Sequence, residues 1–285
     1  MFGLFSNKKE KKQEKQDHPE FLKLVEKWDA FLYKMETRFK ESLVNAKEAL
    51  FENLEESDYD INPTMLAWQG IKSQLMAMSD KVDATFDDKV LPQMLEYKEH
   101  YELLDEGAKG THLREDIIFK QIDRFEIELE GEISTRFYNH AVSFLNGDFR
   151  CTQCGGKIEV RKDIFHSHYV SCDYCNTVNT FTPSDKIAQI RWVVDNIAKL
   201  KALNEWEAMQ NAENEFGDLQ PPSEGQDNRA YVKAFEKREQ TTRTFWKKYF
   251  TERAVYLPEY TETIEHDTDV KMKWFYEERK RELGF

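Results

Sequence analysis

The chain has 285 residues, enough for one large domain or two ordinary ones with a substantial core. Its 54 acidic residues against 41 basic ones leave a net charge of −13, which argues against general attraction to nucleic acid, because neutralising phosphates takes a surplus of Lys and Arg. A charged fraction of 33% with only 11 Gly and 7 Pro points away from a β-rich or disordered chain and towards a mainly α fold. No apolar run approaches the ~20 residues needed to span a bilayer.

Residues 1–17 read as a leader. Met1, Phe2, Leu4 and Phe5 form an apolar tip, followed by five lysines, Lys8 and Lys9 among them, and two glutamates. The bland reading is a frayed, solvated segment. The alternative is a peripheral membrane contact in which Phe2, Leu4 and Phe5 enter the bilayer interface while Lys8 and Lys9 meet anionic lipid. Gly3 is not at position 2, so the N-myristoylation pattern is missing. The leader does not read as a secretory signal, so the expected location is the cytoplasm, at the inner face of a membrane if the tip binds lipid.

A first long helix is expected over 17–56, capped by Asp17 with Pro19 and Glu20 in its first turn. Phe21, Val25, Trp28, Leu32, Met35, Phe39, Leu43, Leu50 and Leu54 recur at three-, four- and seven-residue steps and make one apolar stripe for a bundle core. A turn over 57–62 leads to Asn62-Pro63, a favoured helix start. The second helix carries Leu66, Ile71, Leu75, Met78, Val82, Phe86, Met94, Tyr97 and Tyr101, with Pro92 set to kink or break it. Residues 105–110 read as a loop. Thr111 then caps a third helix with Ile118, Ile122, Phe125, Leu129, Ile133, Phe137 and Phe144 inward, ended by Asn146-Gly147. Residues 18–147 thus read as an elongated, coiled-coil-like bundle of three antiparallel helices.

Next come the only four cysteines, as Cys151-Thr-Gln-Cys154-Gly-Gly and Cys172-Asp-Tyr-Cys175-Asn-Thr with seventeen residues between the pairs. Two residues between paired cysteines let one tight turn aim two sulfurs at a single point, and two such turns supply the tetrahedral thiolates that Zn2+ prefers. Gly155 and Gly156 stand where such a knuckle needs positive φ and close backbone approach to sulfur, and Asn176 serves the same purpose after the second pair. Short apolar-alternating runs at 157–161, 168–171 and 177–181 have strand character.

Over about 149–182 the chain resembles a zinc ribbon, a motif specific for metal and generic for function. Disulfides or a redox CxxC compete with this reading. The first needs an oxidising compartment, and the second belongs at a helix start in a βαβ setting. His166 and His168 are nearby substitute ligands, but four thiolates already fill the shell and leave no position for a reacting water. A ribbon this small cannot bury enough apolar surface to fold alone, so the ion acts as a staple. Residues 148–183 hold four basic and four acidic side chains, so the ribbon offers no basic footprint either.

Residues 184–285 read as C-terminal helices. Thr182-Pro183-Ser184-Asp185 is a strong start, and Ile187, Ile190, Val194, Ile197, Leu200, Leu203 and Trp206 give an apolar face. Residues 205–227 contain seven carboxylates, no Lys or Arg, and Pro221-Pro222, which reads as an acidic surface loop. A helix over 227–257 stops at Pro258, and a last one covers 267–283. Residues 233–253 hold seven cations against three carboxylates, interleaved with Phe245, Trp246, Tyr249 and Phe250. Such a surface can stack on bases and neutralise phosphates, although the helical spacing of Tyr231, Phe235, Phe245 and Tyr249 favours a core face.

A search for catalytic motifs finds no GxSxG, GxxxxGK[ST], GxGxxG or HExxH, and no His with Glu three residues before it, as a di-iron bundle needs. Glu96 with His100 and Glu262 with His266 are i, i+4 pairs of the kind usually found as surface hydrogen bonds. The expected function is therefore a non-enzymatic, zinc-stabilised scaffold or adaptor. It would bind a protein partner through its long helices and a ribbon surface including Phe165, His166, His168 and Tyr174, with self-association as a further use of the helices. The alternatives are the membrane-docking leader and nucleic-acid association through the ribbon and the 233–253 helix.

Overall fold

The computed structural model describes residues 18–160, 167–182, 185–221 and 227–283. Its order is α1 (Pro19–Glu56), α2 (Ile61–Thr85), a π-turn, α3 (Leu91–Met94), α4 (Leu104–His112), a second π-turn and α5 (Lys120–Asp148). After these come β1 (His168–Ser171), β2 (Val178–Phe181), α6 (Asp185–Lys201), α7 (Leu203–Gly217), α8 (Arg229–Tyr256) and α9 (Ile264–Leu283). The fold is mainly α with one small sheet, as composition implies. Among the described residues no helix is long and apolar enough to cross a membrane.

The chain divides into two compact units, one of Met1–Val44 with Ile71–Gln121 and one of Asn45–Gly70 with Ile122–Phe285. In the first, the α1 stripe buries Phe21, Trp28, Met35, Phe39 and Leu43 as its seven-residue rhythm predicts. Trp28 lies against Phe86, with ring centroids 5.3 Å apart, and its Nε1 donates to the Glu106 carbonyl at 3.0 Å.

The expected loop over 105–110 is instead helix α4, so the third helical run begins at Leu104 rather than at Thr111. Its glycines are there for contact, not for a turn. A Cβ on Gly110 would stand 3.2 Å from the Trp28 ring and one on Gly107 would stand 3.2 Å from Phe86. Pro92, expected to kink or break the second helical run, instead sits at the start of α3, and the run passes through it as far as Met94. The π-turn Phe86–Val90 ends just ahead of it, and its wider bond, from the Leu91 N–H to the Phe86 carbonyl, accommodates a ring that cannot donate.

In the second unit the turn after α1 is held by the Tyr59 N–H bonding the Leu54 carbonyl at 2.9 Å, with positive φ at Asp58 and Tyr59. Helix α2 starts one residue earlier than Asn62-Pro63 suggests, and Asp60 Oδ1 accepts from the Asn62 N–H at 3.0 Å. The apolar face of α2 is also displaced from its expected line, for Leu66 is 76% exposed while Trp68 is fully buried. Trp68 packs on Phe125 and donates to Glu126 at 2.9 Å, a polar partner that Leu66 does not need.

On α5 the expected Ile122, Phe125, Leu129, Ile133 and Phe137 are buried. Gly131 lies where α6 crosses, since a Cβ there would stand 2.4 Å from Leu200 Cβ. The side chains of Phe144, Ile187 and Ile190 lie outside the described residues.

The acidic stretch read as a loop over 205–227 is helical as far as Gly217. It packs on α8 through Phe216, which meets Tyr231 and Phe235, and cations of α8 pair with its carboxylates. Lys237 pairs with Glu215 and Arg238 with Glu213, each at 2.5 Å. Further along α8, Arg243 pairs with Asp269, Lys247 with Glu265, Lys248 with Glu252 and Arg253 with Asp195. Tyr231, Phe235, Phe245 and Phe250 point inward. The basic helix that suggested nucleic acid thus turns its aromatic face into the core, and six of its seven cations pair with carboxylates of the chain, Arg238 in the interior and the others nearer the surface.

Candidate metal centre

Each cysteine pair forms the same knuckle. In the first, the Gly155 N–H donates to the Cys151 carbonyl at 3.0 Å and the Cys151 N–H to the Gly156 carbonyl at 2.8 Å. In the second, the Asn176 N–H donates to the Cys172 carbonyl and the Cys172 N–H to the Thr177 carbonyl, both at 2.9 Å. Gly155 (φ +69°) and Asn176 (φ +57°) occupy the left-handed region that closes each turn. Gly156 is required for a different reason, since its Cβ would stand 2.8 Å from the Tyr174 ring and 3.3 Å from Cys154 Sγ.

Strands β1 and β2 pair antiparallel with His168 opposite Phe181 and Ser171 opposite Val178, which brings the second knuckle to the end of the hairpin. A bridge between Arg150 and Lys157 spans the first knuckle, in place of the third strand expected from 157. Beneath the sulfurs, Ile158 packs with Cys151 and Cys172, flanked by Phe149 and Val170.

All four Sγ atoms lie within 4.8 Å of one another. Cys151 and Cys175 are 3.5 Å apart and Cys154 and Cys172 are 3.6 Å apart. A tetrahedral ion with ~2.3 Å bonds to sulfur sets its ligands ~3.8 Å apart, whereas a disulfide holds them at ~2.05 Å. The spacing fits one shared ion, and all four cysteines are free thiols. Among the described residues, no other group of three or more His, Cys, Asp or Glu side chains brings ligand atoms together in this way.

The local electrostatics divide the sulfurs. N–H groups of Cys154 and then Gln153 point at Cys151 Sγ and, with hydrogen bonds from Cys175 and Asn179, hold its pKa down to about 6 against burial. Cys175 is also lowered, chiefly by the Thr177 hydroxyl and N–H. At Cys154 the Gly156 N–H lowers the pKa, yet the neighbouring Cys175, Cys172 and Cys151 together with burial push it up to about 12. Four sulfurs this close cannot all ionise on their own; a cation among them would supply the missing positive charge.

Asn179 is the residue that spacing arguments overlook. It is 3% exposed. Its Oδ1 accepts from the Thr152 N–H at 2.9 Å and from the Thr152 hydroxyl at 3.0 Å. Its Nδ2 donates to the Thr177 carbonyl at 2.9 Å and faces Cys151 Sγ at 3.6 Å. One side chain thereby ties the two knuckles together. Its signal in the sequence is an Asn at the inward position of a short strand, where an apolar or β-branched residue is the norm.

Of the residues expected to meet a partner, Tyr174 is 77% exposed, and His168 is half-buried with its ring 5.4 Å from Phe181. Phe165 and His166 lie outside the described residues, as do Phe2, Leu4, Phe5, Lys8 and Lys9. The outward face of the sheet adds Tyr169 and Val178, 78% and 59% exposed, which the spacing did not single out. Neither Glu96 with His100 nor Glu262 with His266 joins a metal-ligating cluster. Compared with known proteins, the chain matches no family model, no curated protein and no solved structure.

Proposed function

We propose that the four cysteines hold one structural Zn2+ and that the protein works by binding, as a scaffold or adaptor presenting the ribbon to a protein partner. The observation that carries the first part is the convergence of the four sulfurs at tetrahedral spacing. Thiolates favour soft or borderline ions, and a closed tetrahedral S4 set is the usual structural site for zinc, with an iron–sulfur centre as its competitor. Once four thiolates surround the ion, no coordination position is left for substrate or water, so it braces the fold.

The second part is supported by the outward ribbon surface. Tyr169, Tyr174 and Val178 stand exposed on a frame made stiff by two knuckles, and exposed aromatics on a rigid frame suit recognition of a protein. Elemental analysis of purified protein tests the metal, with about one equivalent of zinc per chain and none in Cys154→Ser as the expected result. Recovery of iron with visible charge-transfer absorption, or of no metal, would overturn it. For the surface, affinity capture should yield a partner that Tyr169→Ser with Val178→Ser loses while zinc stays bound; equal capture removes the ribbon face from the proposal.

A further inference from the structure

In the first unit, an open groove of about 450 Å3 lies between the two π-turns, lined by Phe86, Leu91, Leu103 and Leu104 with His100 and His112 at its edge. This volume falls within the ~300–1,000 Å3 of ordinary ligand sites. π-turns are rare and gather at functional positions, and here Phe86 from one and Asp116 from the other both line the groove. Leu104 in its lining is 60% exposed, and Leu95 and Tyr101, which flank His100 in the chain, are 44% and 72% exposed.

Three observations say what covers it. The first is position: the His18 ring stacks on Tyr97 at 4.9 Å, and Lys98 Nζ sits 5.3 Å from the Phe21 ring, so the start of α1 lies beside the segment that enters the groove wall at His100. The second is charge, because residues 86–106 carry seven carboxylates against Lys89 and Lys98, while residues 1–16 carry five lysines against two glutamates. Glu96, Glu99, Glu102 and Asp105 of that stretch are exposed. The third is chemistry, since the same leader supplies Phe2, Leu4 and Phe5, the apolar groups an apolar groove takes. Twelve residues separate Phe5 from His18, and the thirteen steps between them reach about 45 Å when extended, ample for a groove whose lining includes His100, three residues after Tyr97.

We propose that this groove is the docking site of the chain's own residues 2–15, with Phe2, Leu4 and Phe5 against its apolar lining and the lysines against the exposed carboxylates of residues 86–106. Tethering raises the local concentration of the leader to the millimolar range, so a weak contact suffices to keep the groove filled. A docked tip is also hidden from lipid. The inference is independent of the metal centre, which lies in the other unit.

The test is a photo-crosslink in the full chain, with p-benzoylphenylalanine at position 5 and the products mapped by mass spectrometry in a mixture of isotope-labelled and unlabelled protein. The expected result is crosslinking within single chains to peptides from residues 86–112. It should fall about tenfold in Leu104→Glu, a change at an exposed position checked for folding by circular dichroism. Crosslinks that map elsewhere, that join labelled to unlabelled chains, that survive Leu104→Glu undiminished, or that form only to lipid once phosphatidylserine vesicles are added would each overturn the proposal.

Discussion

The ribbon and the C-terminal helices solve the same problem with opposite means. In the ribbon, four sulfurs drawn from two tight turns meet at one point, and the buried apolar side chains among the described residues are few, with Cys151, Ile158 and Cys172 in one cluster and Phe181 on β2. Around α8 the core is Phe235, Met272 and Phe275, and a charge is buried beside it. Arg238 Nη1 donates to both Glu278 oxygens at 3.1 and 3.0 Å, its Nε donates to Glu213, and the guanidinium lies about 5 Å from the rings of Phe216, Trp274 and Phe275. Burial opposes its charge, yet hydrogen bonds to Glu213 and Glu278 outweigh that and raise its pKa. With the proposed ion in place the ribbon would concentrate its stability in one replaceable group, whereas the helices spread theirs over apolar contacts around a buried, paired charge.

Removing the metal should therefore break one region and spare the other. If zinc fills the site as proposed, a chelator or Cys172→Ser should cost the ribbon the apparent ~10–16 kcal/mol of zinc-coupled folding. Hydrogen exchange should show protection lost over 149–182 and kept in α8, and loss in both would end the contrast. Acidification acts in the same direction, because protons compete with the ion for thiolates and release grows as pH falls.

A smaller effect is expected at the buried charge. Arg238→Ala leaves Glu278 buried without its partner and should cost about 3–5 kcal/mol in urea unfolding, while the double change Arg238→Met with Glu278→Leu should return to within about 1 kcal/mol of wild type. If the double variant stays as unstable as the single one, the charge contributes net stability and not only specificity.

Asn179→Ala asks how much of the ribbon depends on anything besides the ion. Losing the brace between the knuckles should cost about 1–3 kcal/mol and speed zinc release to a chelating dye without abolishing zinc binding. Smallest of all, Lys247→Ala removes an exposed pair with Glu265 and should change stability by less than about 1 kcal/mol.

How far the sequence could be read depended on whether the deciding partner was near or far along the chain. Both knuckles were legible because cysteines, glycines and an asparagine dictate a turn within six residues. The stripe of α1 was legible because burial on one side of a long helix imposes its period directly. The hairpin strands followed from alternation, but the run from 157 contributes only a bridge to Arg150.

The acidic stretch of α7 was not legible. Its carboxylates read as a solvated loop until α8, twenty or more residues later in the chain, supplies Lys237 and Arg238.

By itself, then, the sequence determined the sulfur set, the turns that aim it and the mainly helical character, all of which are local consequences of residue type and spacing. Only the tertiary structure decided that Gly107 and Gly110 belong inside a helix, that Trp68 and not Leu66 turns inward, and that Asn179 joins the knuckles. In each of these cases the backbone tolerates more than one state, and what selects between them is a ring or a hydrogen bond brought from a distant part of the chain.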